Sequence, residues 1–353
     1  MKVVDYLQSN DLFYFDRLKC LRSEYYHNEC DNCVEICPVN AFSFIQKKID
    51  LDTKKCIGCA VCEGVCPSEA LRSKNFDPEE FSEKFALKDE KRLSCKSNAP
   101  CLSVFDTHHY LYMVLEKKSD LDCDLKECGE CVLNESGKVS KEIERRIDEA
   151  NRFLDAISFE NKIVKEKDKK EFSRREIFGK IFNEIKGYEP SVLEERKEHT
   201  PNVPKKLILL KKALKKFVLE RGKSVFEGNF SFIVSKKIED NCNNCGECVQ
   251  FCPTNALFYS SDSSKILFQS GKCVNCDICD DICKERAVKT LSEKEFDLSV
   301  FSFDRAKVLI EFDLRICEVC KCAFAAKGEE SICPRCAHFE SNYKDIFKLA
   351  SEE

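Results

Sequence analysis

The sequence predicts an α+β protein built from five segments. Four cysteine-rich runs of nearly the same spacing occur in two pairs, and amphipathic helical patterns fill the chain between the pairs. A third observation is a pair of C-x2-C knuckles near the end of the chain. We expect boundaries near residues 1–80, 81–160, 161–225, 226–300 and 301–353.

The most regular cysteine runs lie in residues 226–300. The first reads CNNCGECVQFCP from Cys242 to Pro253, and the second reads CVNCDICDDICK from Cys273 to Lys284. The spacing C-x2-C-x2-C-x3-C is that of bacterial iron–sulfur proteins, in which three thiolates bind one cluster and the fourth binds another. A single run also suits structural zinc, whereas two matched runs favour two [4Fe-4S] clusters. The thiols concerned are Cys242, Cys245, Cys248, Cys252, Cys273, Cys276, Cys279 and Cys283.

The first segment repeats this arrangement with one irregularity. Its second run is complete, and its first has His27 where the leading cysteine belongs, with Cys20 as the nearest upstream thiol. We expect Cys20 to be the missing ligand, because thiolates hold cubane iron and a longer loop costs little extra closure entropy. A histidine ligand and a cluster with three thiolates stay open. The other thiols are Cys30, Cys33, Cys37, Cys56, Cys59, Cys62 and Cys66.

Residues 20–72 and 238–290 each resemble a two-cluster bacterial ferredoxin. Between the runs, FSFIQKKIDLD and LFYSSDSSKILFQ each predict a hairpin, and an alanine follows each last cysteine by four residues. The resemblance implies two (βαβ)2 dicluster modules with crossed ligation. In this arrangement each cluster is bound by the first three cysteines of one run and by the last cysteine of the other run. The implied complete sets are Cys242, Cys245, Cys248 and Cys283; Cys273, Cys276, Cys279 and Cys252; and Cys56, Cys59, Cys62 and Cys37. Cys30, Cys33 and Cys66 form the set that lacks a certain fourth member.

Residues 81–160 predict a small α/β segment with thiols gathered at strand ends. CDLKECGEC weakly resembles the cysteine-bearing segment of hydrogenase and heterodisulfide-reductase accessory subunits, which implies an extra iron–sulfur centre. Structural zinc and unligated core thiols are the alternatives. The candidate ligands are Cys95, Cys101, Cys123, Cys128 and Cys131.

Residues 161–225 predict a basic helical connector. Residues 161–224 carry 19 Lys or Arg against 10 Asp or Glu, an excess of +9 in a chain of net charge −5. SRRE, from Ser173 to Glu176, predicts a capping box, and residues 205–220 predict an amphipathic helix with a lysine-rich face. The lysine-rich face is either the solvated side of a helix whose other side is packed, or a docking surface for an acidic partner.

The tail, residues 301–353, predicts a zinc ribbon. Twelve residues separate CEVC from CPRC, a spacing that suits zinc and also suits rubredoxin-type iron, and we favour zinc. The ligands would be Cys317, Cys320, Cys333 and Cys336.

The chain contains 26 cysteines among 353 residues, and no signal peptide is recognisable at Met1. We therefore expect reduced, metal-binding thiols in a cytoplasmic protein without a membrane span. The positive charge is not interleaved with aromatic residues, so nucleic acid is not an expected partner. No nucleophile–base pair or phosphate loop is evident, which predicts that the protein is not an enzyme.

The arrangement as a whole resembles iron–sulfur proteins encoded beside formate dehydrogenases. The resemblance implies electron transfer to or from a partner oxidoreductase, through three to four [4Fe-4S] clusters. Two other functions stay open: an accessory or assembly protein for a metalloenzyme, and a thiol or heterodisulfide redox enzyme that uses the middle cysteines.

Overall fold

A computed structural model describes residues 7–167 and 203–343. The predicted capping box at Ser173–Glu176 lies outside these residues. The described chain mixes short strands with helices. Within these two ranges, no helix is both long enough and apolar enough to cross a membrane.

The first cysteine-rich module pairs an outer sheet with an inner hairpin. The outer sheet has the order β1-β2-β5, the inner hairpin is β3-β4, and all these pairs are antiparallel. The hairpin falls on the predicted segment FSFIQKKIDLD. The elements are β1 (Leu7–Ser9), β2 (Phe13–Asp16), α1 (Leu21–Glu24), α2 (Asn32–Ile36), β3 (Phe42–Ile45), β4 (Lys48–Leu51), α3 (Val61–Val65) and β5 (Leu71–Ser73).

The middle segment forms a parallel three-stranded sheet of order β6-β7-β8. Asp77 caps α4, and Asp106 forms a capping box with His109 at the start of α5. The apolar side of α6 is buried, including Ile143, Ile147 and Leu154. The elements are α4 (Pro78–Ala86), β6 (Arg92–Leu93), α5 (Thr107–Lys117), β7 (Leu121–Asp124), α6 (Lys138–Ala156) and β8 (Ile163–Glu166).

Helix α7 (Lys205–Arg221) packs against α5 and ends at Gly222, whose positive φ suits a helix terminus. Leu207, Leu210 and Leu214 are buried, whereas Ile208 and Leu219 are exposed. Its lysines pair with carboxylates of the same chain: Lys211 with Asp304, and Lys216 with Glu116. Much of the lysine-rich face therefore serves packing within the chain.

The second module repeats the topology of the first. Strands β10 and β13 form the outer pair. Strands β11 and β12 form a hairpin at the predicted segment LFYSSDSSKILFQ. Strand β15, which the sequence placed in the tail, pairs with β12 and extends this module's sheet. The elements are β9 (Val225–Glu227), β10 (Ser235–Ile238), α8 (Glu247–Gln250), β11 (Leu257–Tyr259), β12 (Lys265–Phe268), α9 (Ile278–Asp281), β13 (Val288–Leu291), β14 (Glu295–Asp297), α10 (Leu298–Ser302) and β15 (Lys307–Glu311).

The tail forms one hairpin and one helix. The antiparallel strands β16 (Asp313–Ile316) and β17 (Ala323–Ala326) lie beside the first C-x2-C knuckle, and α11 (Pro334–Tyr343) begins within the second.

Two apolar cores support these parts. The larger one joins the first module, the middle segment, α7 and the phenylalanines around Phe226 and Phe296, and the smaller one lies inside the second module.

Candidate metal centres

Three of the four cysteine runs share one loop conformation. Between consecutive cysteines the backbone adopts positive φ twice, at Gly58 and Ala60 in one run and at Asn244 and Gly246 in another. Asn275 and Asp277 repeat the pair in the last run. Left-handed residues turn the chain sharply, so successive thiols can face one centre. Among the described residues, the run at Cys30 lacks this pair, in agreement with its irregular sequence.

A backbone hydrogen bond to sulfur recurs after every run. The amide N–H of Ala41 donates to Cys37 Sγ over 3.3 Å, and Ala70 donates to Cys66 Sγ over 3.2 Å. The residue before each of these alanines has positive φ, and each alanine is buried. The small side chain lets the turn close, and the N–H group stabilises negative charge on sulfur. The second module repeats the bond over 3.2 Å in the pairs Ala256–Cys252 and Ala287–Cys283.

Four thiols of the first module gather in site 1. Burial and the thiols of Cys66, Cys20 and Cys30 raise the pKa of Cys33. Burial and then the Cys66 thiol likewise raise the pKa of Cys20 to about 11. Site 1 is therefore Cys20, Cys30, Cys33 and Cys66.

His27 packs against two tyrosine rings. Its ring contacts Tyr25 and Tyr26, with centroids 5.6 Å and 5.4 Å away, and its side chain is exposed. Cys20, in contrast, is only 8% exposed. The structure thus brings Cys20 into the thiol set that the sequence left incomplete.

Site 2 combines the complete run of the first module with a crossed thiol. Burial raises the pKa of Cys59 to about 11, with contributions from the thiols of Cys37, Cys101 and Cys56. Burial and the thiols of Cys33, Cys59 and Cys37 raise the pKa of Cys62. Site 2 is Cys37, Cys56, Cys59 and Cys62, and it adjoins site 1 through Cys33.

The second module has the same crossed arrangement. Site 3 is Cys242, Cys245, Cys248 and Cys283, and site 4 is Cys252, Cys273, Cys276 and Cys279. Burial and the other three thiols of site 3 raise the pKa of Cys248 to about 12. At site 4, burial raises the pKa of Cys273 to about 12, with the thiols of Cys276 and Cys252 acting in the same direction.

Sequence analysis missed one charged neighbour of site 4. Lys236, on β10, is 2% exposed, and its Nζ lies 2.6 Å from Asp280 Oδ2. Burial alone would lower the pKa of Lys236, but the sulfur of Cys279 and the Asp280 carboxylate raise it. Lys236 thus places a buried positive charge beside site 4. A lysine in a short strand gives no local sign of this position.

The middle segment brings four of its five cysteines together. Strands β6 and β7 are parallel neighbours, so the loops after them leave the same sheet edge. Burial and the thiols of Cys101, Cys95 and Cys131 raise the pKa of Cys128 to about 12. The middle site is thus Cys95, Cys101, Cys128 and Cys131. Cys123 instead lies within β7, fully buried in the core.

The middle site lies against site 2. The Cβ that an alanine at position 64 would add lies 2.1 Å from the carbonyl oxygen of Ser103, so Gly64 permits close packing here. Ser103 also donates a hydrogen bond to Cys101 Sγ over 3.3 Å. The thiol of Cys101 in turn contributes to the raised pKa of Cys59.

The tail thiols form a tighter group than the others. The sulfurs of Cys317, Cys320, Cys333 and Cys336 all lie within 4.8 Å of one another, and Cys320 Sγ is 3.8 Å from Cys333 Sγ. Tetrahedral Zn–S bonds of about 2.3 Å require sulfur separations of about 3.8 Å. Backbone N–H groups, first that of Cys333, lower the pKa of Cys317 to about 6. We call this group the tail site.

Sites 1 to 4 and the middle site are wider. Across residues 7–167 and 203–343, no other group of three or more potential ligands meets the 4.8 Å limit. A four-iron cube holds its thiolates further apart than one tetrahedral ion does. The donor sets therefore fit a cluster at sites 1 to 4 and a single ion at the tail site.

Comparison with known proteins agrees with this geometry. The family model of the 4Fe-4S dicluster domain matches residues 28–70, and that of the 4Fe-4S binding domain matches residues 236–258. The chain is 45% identical over 52 residues to a ferredoxin of Alicyclobacillus acidocaldarius. It is 40% identical over 50 residues to ferredoxin 7Fe of Hydrogenibacillus schlegelii, and 34% identical over 76 residues to hydrogenase-4 component A of Escherichia coli.

These matches span 67%, 64% and 37% of the three relatives, and 15%, 14% and 21% of this chain. Paired strand and helix units with cysteine runs at ferredoxin spacing define an iron–sulfur protein. The chain belongs to the 4Fe-4S ferredoxin family, and most of its length lies outside the regions matched by these relatives.

Proposed function

We propose that this protein transfers electrons between oxidoreductases through a row of metal sites. The observation that carries the proposal is the gathering of sixteen thiols into four sets of four, arranged as in two ferredoxin modules. A [4Fe-4S] cluster bound at each set would accept and release one electron at a time. The chain itself would bind the clusters, exclude water and supply hydrogen bonds to sulfur.

The proposed ligands follow the four sets. Site 1 would use Cys20, Cys30, Cys33 and Cys66, with His27 outside it. Site 2 would use Cys37, Cys56, Cys59 and Cys62. Site 3 would use Cys242, Cys245, Cys248 and Cys283, and site 4 would use Cys252, Cys273, Cys276 and Cys279.

The sites follow one another in a single order. The Cys62 thiol of site 2 neighbours Cys33 of site 1. Site 1 meets site 4 where Asn28 Nδ2 donates to the carbonyl oxygen of Cys276 over 3.1 Å. Site 4 is next to site 3, because Cys252 of site 4 and Cys248 of site 3 are four residues apart in the chain. This order supports transfer along one path rather than between isolated modules.

We propose a further iron–sulfur centre at the middle site. Four thiols converge there, they are not as close together as those of the tail site, and Cys101 lies next to Cys59 of site 2. A centre at Cys95, Cys101, Cys128 and Cys131 would extend the row beyond site 2. Cys123 would not be a ligand.

We propose zinc at the tail site, bound by Cys317, Cys320, Cys333 and Cys336. The distance of 3.8 Å between Cys320 Sγ and Cys333 Sγ agrees with one tetrahedral ion. Lys327 Nζ donates to the carbonyl oxygen of Asn241 over 3.2 Å, so the tail lies beside the loop of site 3. A structural ion there would hold the hairpin β16-β17 against the second module.

The partner would be an oxidoreductase. Hydrogenase-4 component A, one of the relatives, is by its name part of a hydrogenase, and the resemblance in sequence suggests a formate dehydrogenase-like enzyme. The lysines of α7 already pair within the chain, for example Lys212 with Glu83, so this helix provides little support for an acidic partner. We propose a carrier or accessory subunit rather than an enzyme, acting in the cytoplasm.

A stepwise reductive titration of the anaerobic protein, followed by EPR, tests this function. Electron transfer predicts reversible uptake of about one electron per occupied site, at least four per chain. A second arm mixes the protein with cluster-free acceptor proteins. Irreversible loss of clusters to an acceptor, without reversible reduction, would contradict the proposal and indicate an assembly protein.

A further inference from the structure

We propose that a cavity of about 750 Å³ binds a small organic molecule carrying two or more phosphate or carboxylate groups. The cavity lies where the first module, the middle segment, α7 and the second module meet. Its volume is within the range of sites that hold a cofactor or metabolite. This inference goes beyond electron transfer and does not depend on it.

A buried guanidinium provides the first reason. Arg146, on α6, lines the cavity and is 1% exposed. Its Nη1 donates to the carbonyl oxygens of Ser103 and Phe105, and its Nε donates to Glu142 Oε1. Its Nη2 has no hydrogen-bond partner within residues 7–167 and 203–343. A buried charged donor without a partner is costly, and a small rotation of the side chain towards an oxyanion in the cavity would satisfy it.

A second buried polar atom, His108 Nδ1, belongs to a residue of the cavity lining. It lies 3.5 Å from Asp106 Oδ2, at the limit of a hydrogen bond. The imidazole is 9% exposed and lies on the same cavity wall as Thr107. An unpartnered guanidinium nitrogen and a weakly paired imidazole in one cavity lining favour a polar occupant.

The electrostatic balance of the lining favours an anion. Lys138, Lys141, Arg145, Arg146 and Lys206 line the cavity, against Glu35, Asp106 and Glu142. Lys206 neutralises Asp106 over 2.5 Å, Arg145 and Arg146 share Glu142, and Arg145 also lies 3.7 Å from Glu149. Lys138 and Lys141 are exposed. Lys138 Nζ donates to the carbonyl oxygen of Glu35 over 3.3 Å, a contact that it can exchange for a ligand.

Three long helices add to this field. The first turns of α5, α6 and α7 all line the cavity, and a helix N-terminus carries partial positive charge. Side chains already accept from some of these N–H groups: Asp106 on α5, Asn134 on α6 and Glu69 on α7. The helix ends therefore contribute mainly their dipoles, and Arg146 contributes the free donor.

The cavity also reaches both modules. Gly64, Val65 and Pro67 bring it beside site 1, and Cys273 brings it beside site 4. A bound anion would thus lie at the junction of the two modules.

Calorimetric titration of the anaerobic, full-length protein with pyrophosphate and with succinate tests the inference. Sodium chloride at matched ionic strength is the reference. We expect saturable binding of one molecule per chain. Tight binding of pyrophosphate alone identifies a phosphate ligand, and tight binding of succinate alone identifies a carboxylate ligand.

Three variants locate the site. Lys141→Ala should weaken binding about threefold, as loss of one exposed charge does. Arg146→Lys should weaken it tenfold or more, because lysine cannot replace the guanidinium fork. Lys54→Ala, an exposed lysine that does not line the cavity, should leave binding within about twofold of the parent protein.

Iron content and circular dichroism of each variant show whether it has folded. Should Arg146→Lys fail to fold, Lys141→Ala with its Lys54→Ala control still decides the matter. Absence of saturable binding to both probes would overturn the inference, as would equal weakening in Lys141→Ala and Lys54→Ala. Neither result would change the iron content on which the proposed function depends.

Discussion

Asn28 donates a hydrogen bond to the backbone carbonyl of Cys276, although 248 residues separate them in the chain. The aromatic rings of Tyr25 and Phe251 also meet here, with centroids 6.2 Å apart. Both contacts use residues between Cys20 and Cys30, the stretch that makes the first cysteine run irregular. The long loop in site 1 thus supplies a contact between the two ferredoxin modules.

The first prediction concerns the fourth ligand of site 1. Cys20→Ser should remove up to one cluster, about four iron atoms per chain, because Cys20 faces Cys66 and Cys30. His27→Ala should leave iron unchanged, since His27 packs between tyrosines. Iron analysis of the anaerobic variants provides the measurement. Loss of iron in His27→Ala but not in Cys20→Ser would reverse the assignment.

The second prediction concerns the middle site. Cys128→Ser should lower iron and sulfide by up to one centre, because three thiols surround Cys128. Cys123→Ser is the matched control, since this cysteine lies inside β7, and it should retain the full metal content. If both variants keep all their iron, the middle thiols hold no iron–sulfur centre.

The third prediction concerns zinc in the tail. About one zinc per chain should persist after oxidation has destroyed the clusters, because zinc has no redox chemistry. Cys333→Ser should lose this zinc, and Cys322→Ser should keep it, since Cys322 lies outside the tail site. Elemental analysis checks both. A red, redox-active mononuclear iron centre would instead establish rubredoxin-type iron.

The fourth prediction concerns a buried arginine that joins the first module to α4. Arg72 is 2.7 Å from Glu69 and 2.5 Å from Glu79, and all three side chains are buried. Arg72→Leu leaves the carboxylates without their cation, which should cost about 3–5 kcal/mol. We expect the Tm of the anaerobic protein to fall by at least about 6 °C.

Arg315→Leu is the control for Arg72→Leu. Its side chain is 39% exposed and pairs with Asp313, which is 60% exposed, so its loss should cost less than about 1 kcal/mol. Equal decreases in Tm for the two variants would show that the Arg72 cluster gives no special stability.

Local spacing predicted much of the fold and of the sites. The cysteine runs, the two hairpins and the small residue at Ala41 all follow from short-range pattern, because a cluster loop is a local structure. The structure added the amide hydrogen bond from Ala41 to Cys37, which position alone did not reveal.

Features that depend on contacts between distant segments were not predictable. Strand β15 joins the second module because Ile310 pairs with Ile266, a register that no local motif specifies. The separation of Cys123 from the other middle thiols depends on the pairing of β6 with β7. The cavity around Arg146 likewise exists only where four parts of the chain meet.

The central claim is that the thiol sets hold iron–sulfur clusters, and iron and acid-labile sulfide per chain test it most directly. Anaerobic protein should contain about sixteen of each from sites 1 to 4, and about twenty with the middle site. Protein that contains only zinc and no sulfide would contradict the account.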